Sequence, residues 1–411
     1  MIELPLLTGP TGSGEWPDQA TVARALADPE WSPVPFTEYI LKIHSRCNLA
    51  CDYCYMYEMA DQSWRTMPQV MSRSVIDQVA LRLAEHARAH AAELPDVHVK
   101  FHGGEALLAG AERIGYAARA LRSALPATTD LTLSVTTNGV LLDDEALLDV
   151  LGEHGIRVAV SLDGGREAHD RHRRYAGGKG SFDRVMRGIE ALRGSRHGGL
   201  LGLVLCTVDV RNEPLGVYEA LLDAGAPAVD FELPLGNRSQ PPPGWSAGRT
   251  PYADWLIPVF DRWYATSPPP TTVRLFDNII GLVLGGHSDT EGVGMGSFRT
   301  LTIDTDGSLE LVDTLRSAFS GAAATGFDVF RSAFDEARLH PGVVARQIGR
   351  AGLSATCNSC PLLRICGGGE YAHRYQEGSG FLHPSVYCAD LSRLIRHIRD
   401  RVLADVAALT R

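Results

Sequence analysis

The sequence predicts an α/β fold. Six β-α units form a partial (β/α)6 TIM-like barrel, and a smaller cysteine-bearing C-terminal unit follows it. Three observations predict this. From Glu38 to about Leu235, apolar β-branched runs alternate with amphipathic helical patterns. Each crossover is long enough to hold a helix, which requires parallel pairing with helices outside the sheet. After Leu235 the alternation stops, proline runs intervene, and four cysteines gather at Cys357, Cys360, Cys366 and Cys388.

Residues 1–36 are rich in Gly, Pro and Trp and read as an extension with one helical pattern near Thr21–Ala27. The barrel, 37–235, has strand-like runs at Tyr39–His44, Val97–Phe101, Leu131–Thr136, Ile156–Leu162, Leu200–Val208 and Val229–Leu233. Helical patterns lie between them at Ser72–Ala92, Glu105–Leu125, Asp143–His154, Ser181–Arg193 and Glu213–Ala224. A connecting segment, 236–299, holds helical stretches at Tyr252–Tyr264 and Leu275–Leu284. In 300–411, Thr300–Ile303 and Leu309–Val312 read as a hairpin around Asp304–Gly307. A helix near Phe327–Arg338 and an amphipathic helix from Ala389 to Leu409 complete the chain.

Composition narrows the function. The 411 residues carry 39 basic and 49 acidic side chains, a net charge of −10, which argues against a nucleic-acid partner. No apolar run approaches the length of a membrane span. Met1–Pro17 lacks the basic and apolar regions of a secretory signal, so a cytoplasmic location is expected. Clustered cysteines in that setting bind metal more often than they form disulfides.

Cys47, Cys51 and Cys54 form C-x3-C-x2-C just after the first strand, where parallel α/β folds gather their chemistry. Three thiolates on one loop hold three irons of a [4Fe–4S] cluster and leave the fourth open to a small chelating molecule. The competing reading is a structural zinc site with His44 as the fourth ligand.

The motif in this place resembles the radical S-adenosylmethionine (SAM) superfamily. Gly103, Gly104 and Glu105 end the second strand like the superfamily's Gly-Gly-Glu-Pro turn, with Ala106 where proline is usual. The resemblance implies that this turn grips the SAM ammonium. It also places Tyr53 near the adenine, Asn138 near the ribose, and Ser161 and Arg173 at the carboxylate. These residues follow successive strands on one predicted face.

Cys357-x2-Cys360-x5-Cys366 and then Cys388 supply four thiolates, enough to close either a [4Fe–4S] or a zinc site. The arrangement resembles the C-terminal SPASM iron–sulfur domain of radical SAM peptide-modifying enzymes. The full family pattern has seven cysteines. Here Val312 and Glu370 stand at two of the missing positions, and 290–306 contains no cysteine. The resemblance therefore implies two clusters, one at Cys47/Cys51/Cys54 and one outer auxiliary cluster at Cys357/Cys360/Cys366/Cys388. Asp313 resembles the aspartate that takes a substrate proton in sulfatase-maturing relatives, a general-base role.

A SPASM-like unit implies a peptide substrate, here expected to be a ribosomally synthesised precursor peptide. Ser181–Val185, Thr302–Gly307 and Tyr371–Phe381 resemble the subgroup that makes three-residue cyclophanes, which implies a bond from an aromatic ring to a nearby Cβ. Thioether formation and oxidation of Ser or Cys to formylglycine are the alternatives, with a non-catalytic metal-stabilised peptide-binding protein outside the enzyme class. The resemblance also implies a reductant such as flavodoxin or ferredoxin, and a separate leader-binding protein or the 236–300 segment for recognition.

Overall fold

The computed structural model describes residues 19–288 and 290–409. The first half of the expected N-terminal extension, residues 1–18, which includes the segment read for a secretory signal, lies outside the described residues.

One ten-stranded sheet organises the protein, in the order β10-β9-β8-β1-β2-β3-β4-β5-β6-β7. Six of these strands are the expected barrel strands: β1 (Glu38–His44), β2 (Asp96–Gly103), β3 (Asp130–Thr137), β4 (Arg157–Ser161), β5 (Leu201–Thr207) and β6 (Ala228–Glu232). They pair in parallel in chain order, and the short β7 (Thr272–Val273) extends the sheet beyond β6. The hairpin strands β8 (Thr300–Ile303) and β9 (Ser308–Glu310), with β10 (Ala324–Asp328), join the other edge. β8 runs parallel to β1, and β9 and β10 return antiparallel. The residues after 300 thus continue the barrel sheet and bring the end of β9 beside the loop that follows β1.

The helices are α1 (Gln19–Ala27), α2 (Arg73–Ala89), α3 (Gly110–Ala124), α4 (Glu145–Glu153), α5 (Arg166–His172), α6 (Phe182–Gly194), α7 (Pro214–Asp223), α8 (Pro251–Tyr264), α9 (Arg274–Val283), α10 (Phe334–Arg338), α11 (Pro341–Gln347), α12 (Ala355–Asn358), α13 (Leu363–Cys366) and α14 (Cys388–Leu409). The strand alternation shows which face each residue takes. On β2, Val97, Val99 and Phe101 are fully buried against the helix layer, whereas His98, Lys100 and His102 are only half-buried and face the lumen. α14 packs on α8 and α9, and the Asp390 carboxylate accepts from the Tyr252 and Ala253 amides at the start of α8 (2.8 and 3.0 Å). No helix among the described residues is long and apolar enough to cross a membrane.

The expected Phe327–Arg338 helix is a correction. Its first residues are the end of β10, and only Phe334–Arg338 is helical. Asp328 Oδ1 accepts from the amides of Phe330 and Arg331 (2.9 and 3.0 Å), an Asx turn that separates the two elements.

A buried charge network ties the hairpin to the barrel. Lys42 of β1 pairs with Asp304 (3.3 Å) and Glu310 (2.6 Å). Arg316, fully buried, meets Asp304 (2.8 Å), Asp61 (3.3 Å) and Glu310. Two cations thus hold three carboxylates from three segments. Arg316→Met should cost about 3–5 kcal/mol, because it leaves buried carboxylates without their partner. Urea unfolding monitored by circular dichroism tests this, and a loss under about 1 kcal/mol contradicts it.

Candidate active site

The three cysteines of the first group lie on the loop after β1, half-buried and unbridged. Cys47 Sγ accepts from the Leu49 amide (3.4 Å) and the Asn138 side chain (3.6 Å). Burial pushes the Cys47 thiol up to about 12, with Glu105 and the other two cysteines adding to it. Burial likewise raises Cys51 to about 11, against the pull of the Arg173 guanidinium, and raises Cys54. These shifts favour the neutral thiols, so the three would become thiolates only with a cation bound to them. The donor set, three sulfurs with amide donors around them, fits a cluster with one open iron.

The glycine turn after β2 is set by packing against this loop. A Cβ on Gly103 (φ +137°) would stand 2.1 Å from the His44 carbonyl oxygen, and one on Gly104 would stand 1.9 Å from Tyr57 Oη. The turn donates from Gly104 to the His44 carbonyl and from Glu105 to the Arg46 carbonyl, both at 2.9 Å. Glu105 is buried, and its carboxylate accepts from the Leu107 amide (3.0 Å), Thr137 Oγ1 (2.7 Å) and the Asn138 amide (2.7 Å). It therefore staples the ends of β2 and β3 together and retains one of its four acceptor positions.

Asn138 reaches back to the cysteine loop, donating to Asn48 Oδ1 at 2.7 Å. Tyr53 donates to Asp163 Oδ2 (2.5 Å), which also accepts from Arg173 Nε (2.9 Å). Asp163 Oδ1 accepts from the Thr207 amide (3.1 Å). One buried carboxylate thus fixes an aromatic of the cysteine loop, an arginine after α5 and the end of β5. Ser161 is half-buried at the end of β4. The loop ends therefore bring together Cys47, Cys51, Cys54, Tyr53, Gly103, Gly104, Glu105, Asn138 and Arg173, with Ser161 closing the neighbouring strand. Asp163 escapes sequence reasoning, since an Asp-Gly pair reads as a turn. Its place at a strand end beside Ser161 is the signal.

Asp313 stands at the end of the hairpin, 3% exposed. Tyr55, next to Cys54, donates to its Oδ2 at 2.7 Å, and His102 Nδ1 lies 3.7 Å from the same oxygen. Burial pushes its carboxyl up, but His102, Lys42, Tyr55 and Arg316 together outweigh that and hold it below the usual carboxylate value. It is therefore a largely water-excluded carboxylate, favoured in its ionised form, directly against the cysteine loop. Tyr55 and His102 carry no sequence motif. They become visible only when the hairpin is laid beside β1.

The second group converges from three elements. Cys357 lies on α12, capped by Ser354 (3.2 Å), Cys366 ends α13, and Cys388 begins α14. Burial raises Cys366 to about 11, with Cys388 and Cys357 adding to it. Burial raises Cys388 too, with Cys357 and Cys360 adding. Cys366 and Cys388 thus each feel the charge of other cysteines of the group. Arg374 holds the Gly367, Gly368 and Gly369 carbonyls at 3.1, 3.2 and 2.5 Å. A Cβ on Gly367 (φ +62°) would lie 1.7 Å from the Gly294 carbonyl oxygen. Gly367→Ala should therefore remove about four irons per chain, read by iron and sulfide analysis, and full iron content would contradict this. Where the seven-cysteine pattern has further ligands, Val312 is buried and Glu370 is raised to about 8 by burial, with Glu291 adding to it. The Arg346 guanidinium, stacked on Phe298 at 3.3 Å and paired with Glu291, lies near Glu370.

Comparison with known proteins agrees with this geometry. The profile of the radical SAM superfamily matches residues 41–221, from within β1 to within α7. A serine-type anaerobic sulfatase-maturating enzyme of Klebsiella aerogenes is 25% identical over 363 residues, covering 87% of this chain and 84% of its own length. A cysteine-type enzyme of Clostridium perfringens is 22% identical over 375 residues, covering 90% and 98%. Among solved structures, native anSMEcpe with bound AdoMet has a TM-score of 0.76 at 22% identity, covering 90% of this chain and 99% of that one.

These relatives overturn the cyclophane expectation. The stretches that suggested it are spent on structure: Ser181 Oγ donates to the Arg173 carbonyl (2.7 Å), Asp304 sits in the buried charge network, and Tyr371 stacks on Phe381 at 4.6 Å. Residues 41–221 thus match the radical SAM superfamily, whose members use SAM and [4Fe–4S] clusters.

Proposed function

We propose that this enzyme oxidises the Cβ of a Ser or Cys in a peptide or protein substrate to the aldehyde of formylglycine. One observation carries the reading. Asp313, an ionised and nearly dry carboxylate, is held by Tyr55 of the cysteine loop itself. Oxidising a hydroxyl to an aldehyde, or a thiol to a thioaldehyde that water hydrolyses to the aldehyde with loss of sulfide, removes a hydrogen atom, a proton and an electron, and the proton needs such a base beside the radical source. The similarity to serine- and cysteine-type sulfatase-maturating enzymes along most of the chain supports the same chemistry.

In this reading, Cys47, Cys51 and Cys54 hold the cluster that binds SAM. Gly103, Gly104 and Glu105 take the ammonium, Tyr53 and Asn138 flank the nucleoside, and Ser161 and Arg173 serve the carboxylate. Cys357, Cys360, Cys366 and Cys388 hold the auxiliary cluster. When bound, these groups supply a 5′-deoxyadenosyl radical for hydrogen abstraction and an electron acceptor. The protein's own part is positional. Asp313 takes the proton from the substrate oxygen or sulfur, Tyr55 fixes the carboxylate, and the Asp163 clamp holds Tyr53 and Arg173 in place.

Incubating reconstituted enzyme, SAM and dithionite with synthetic sulfatase-derived peptides tests the reading. The Ser peptide should lose about 2 Da and then react with a hydrazide. A product of that mass that no hydrazide captures would contradict the aldehyde.

A further inference from the structure

A buried base that takes a proton in each turnover must pass it on before the next. Asp313 has little access to water, its side chain being 4% exposed. Four side chains bear on its charge: His102, Lys42, Tyr55 and Arg316. Lys42 and Arg316 are cations already bound into the network of Asp304, Glu310 and Asp61, and neither has a lone pair to offer. Tyr55 donates its own hydrogen to Asp313. His102 is the remaining partner. Its Nδ1 is buried, has no hydrogen-bond partner and lies 3.7 Å from Asp313 Oδ2.

We infer that His102 accepts the proton that Asp313 takes from the substrate and releases it into the barrel lumen. This rests on the reading of Asp313 as the substrate base. The Asp313 O–H bond breaks as an N–H bond forms at His102 Nδ1. The ring then gives up the proton on Nε2 to water, and it regains the accepting tautomer by taking a proton from water at Nε2 as the Nδ1 proton is released, so that carboxylate and accepting imidazole are both restored for the next turnover. Position and exposure suit the task. The imidazole is 21% exposed and lies on the inward row of β2, with Lys100 and His98 following down the lumen. The groups that face it are Asp313, Lys100, Lys42 and the Gly103 backbone. Burial, opposed by Asp313 and joined by the two lysines, holds its pKa below the usual imidazole value.

The test compares wild type, His102→Gln and His102→Ala on a synthetic sulfatase-derived Ser peptide, after iron analysis and circular dichroism confirm that each variant is folded and loaded. His102→Gln keeps a hydrogen-bonding side chain but cannot relay a proton. It should lower kcat for aldehyde formation about 10-fold or more, with little change in KM and a larger solvent deuterium isotope effect. Added imidazole should restore His102→Ala. If His102→Gln works within about twofold of wild type, or imidazole restores nothing, the relay is wrong while the substrate chemistry stands. If wild type itself forms no aldehyde, the underlying reading falls, and the relay with it.

Discussion

Asp313→Asn is expected to lower formylglycine formation by about 10²–10⁴-fold, the range for loss of a positioned general base. The substitution keeps the volume and the Tyr55 contact but removes the acceptor of the substrate proton. The telling quantity is aldehyde formed per 5′-deoxyadenosine released, which should fall well below the wild-type ratio. An unchanged ratio would show that the proton leaves by another route. Asp313 should also stay ionised through the neutral range, because His102, Lys42, Tyr55 and Arg316 hold its carboxyl below the value of a free aspartate. The sign follows from linkage. A depressed carboxylate stabilises the fold above the unfolded-state pKa, and that contribution is lost as pH falls through the lower folded value. Activity limited by Asp313 should therefore be flat across neutral pH and fail only in acid.

Cys47→Ala, Cys51→Ala or Cys54→Ala should each abolish SAM cleavage to the level of iron-free protein. Each should also lower iron from about eight to about four per chain. Cys360→Ala should remove the other four. Zinc in place of iron at the second group would instead make that site structural. In the proposed reading the open iron of the first group chelates SAM, so loss of any of these three thiols should remove the reaction completely. EPR of the reduced protein separates the two groups by their distinct signals.

Much of the barrel was legible because parallel strands buried on one face carry dense apolar β-branched runs, and each ends in a conspicuous turn. Gly103 and Gly104, Asn138 and Ser161 mark three successive strand ends, and the structure places them at the same end of the sheet. The hairpin was legible as a hairpin, but its pairing with β1 was not, since nothing local in Thr300–Ile303 names its neighbour. That pairing creates the buried network of Lys42 and Arg316, and so the setting of Asp313. Tyr55 and His102 were hidden for the same reason: their partner lies more than 200 residues away along the chain. The bond type was misread because Ser181, Asp304 and Tyr371 sit in stretches that serve packing and charge balance rather than substrate.

The measurement that bears most directly on the central claim is the fate of deuterium at the Cβ of the target Ser in a synthetic peptide. The account predicts that one deuterium appears in 5′-deoxyadenosine while the same peptide gains an aldehyde, the two in equal amount. Deuterium transfer without an aldehyde, or an aldehyde whose hydrogen never reaches 5′-deoxyadenosine, would contradict it.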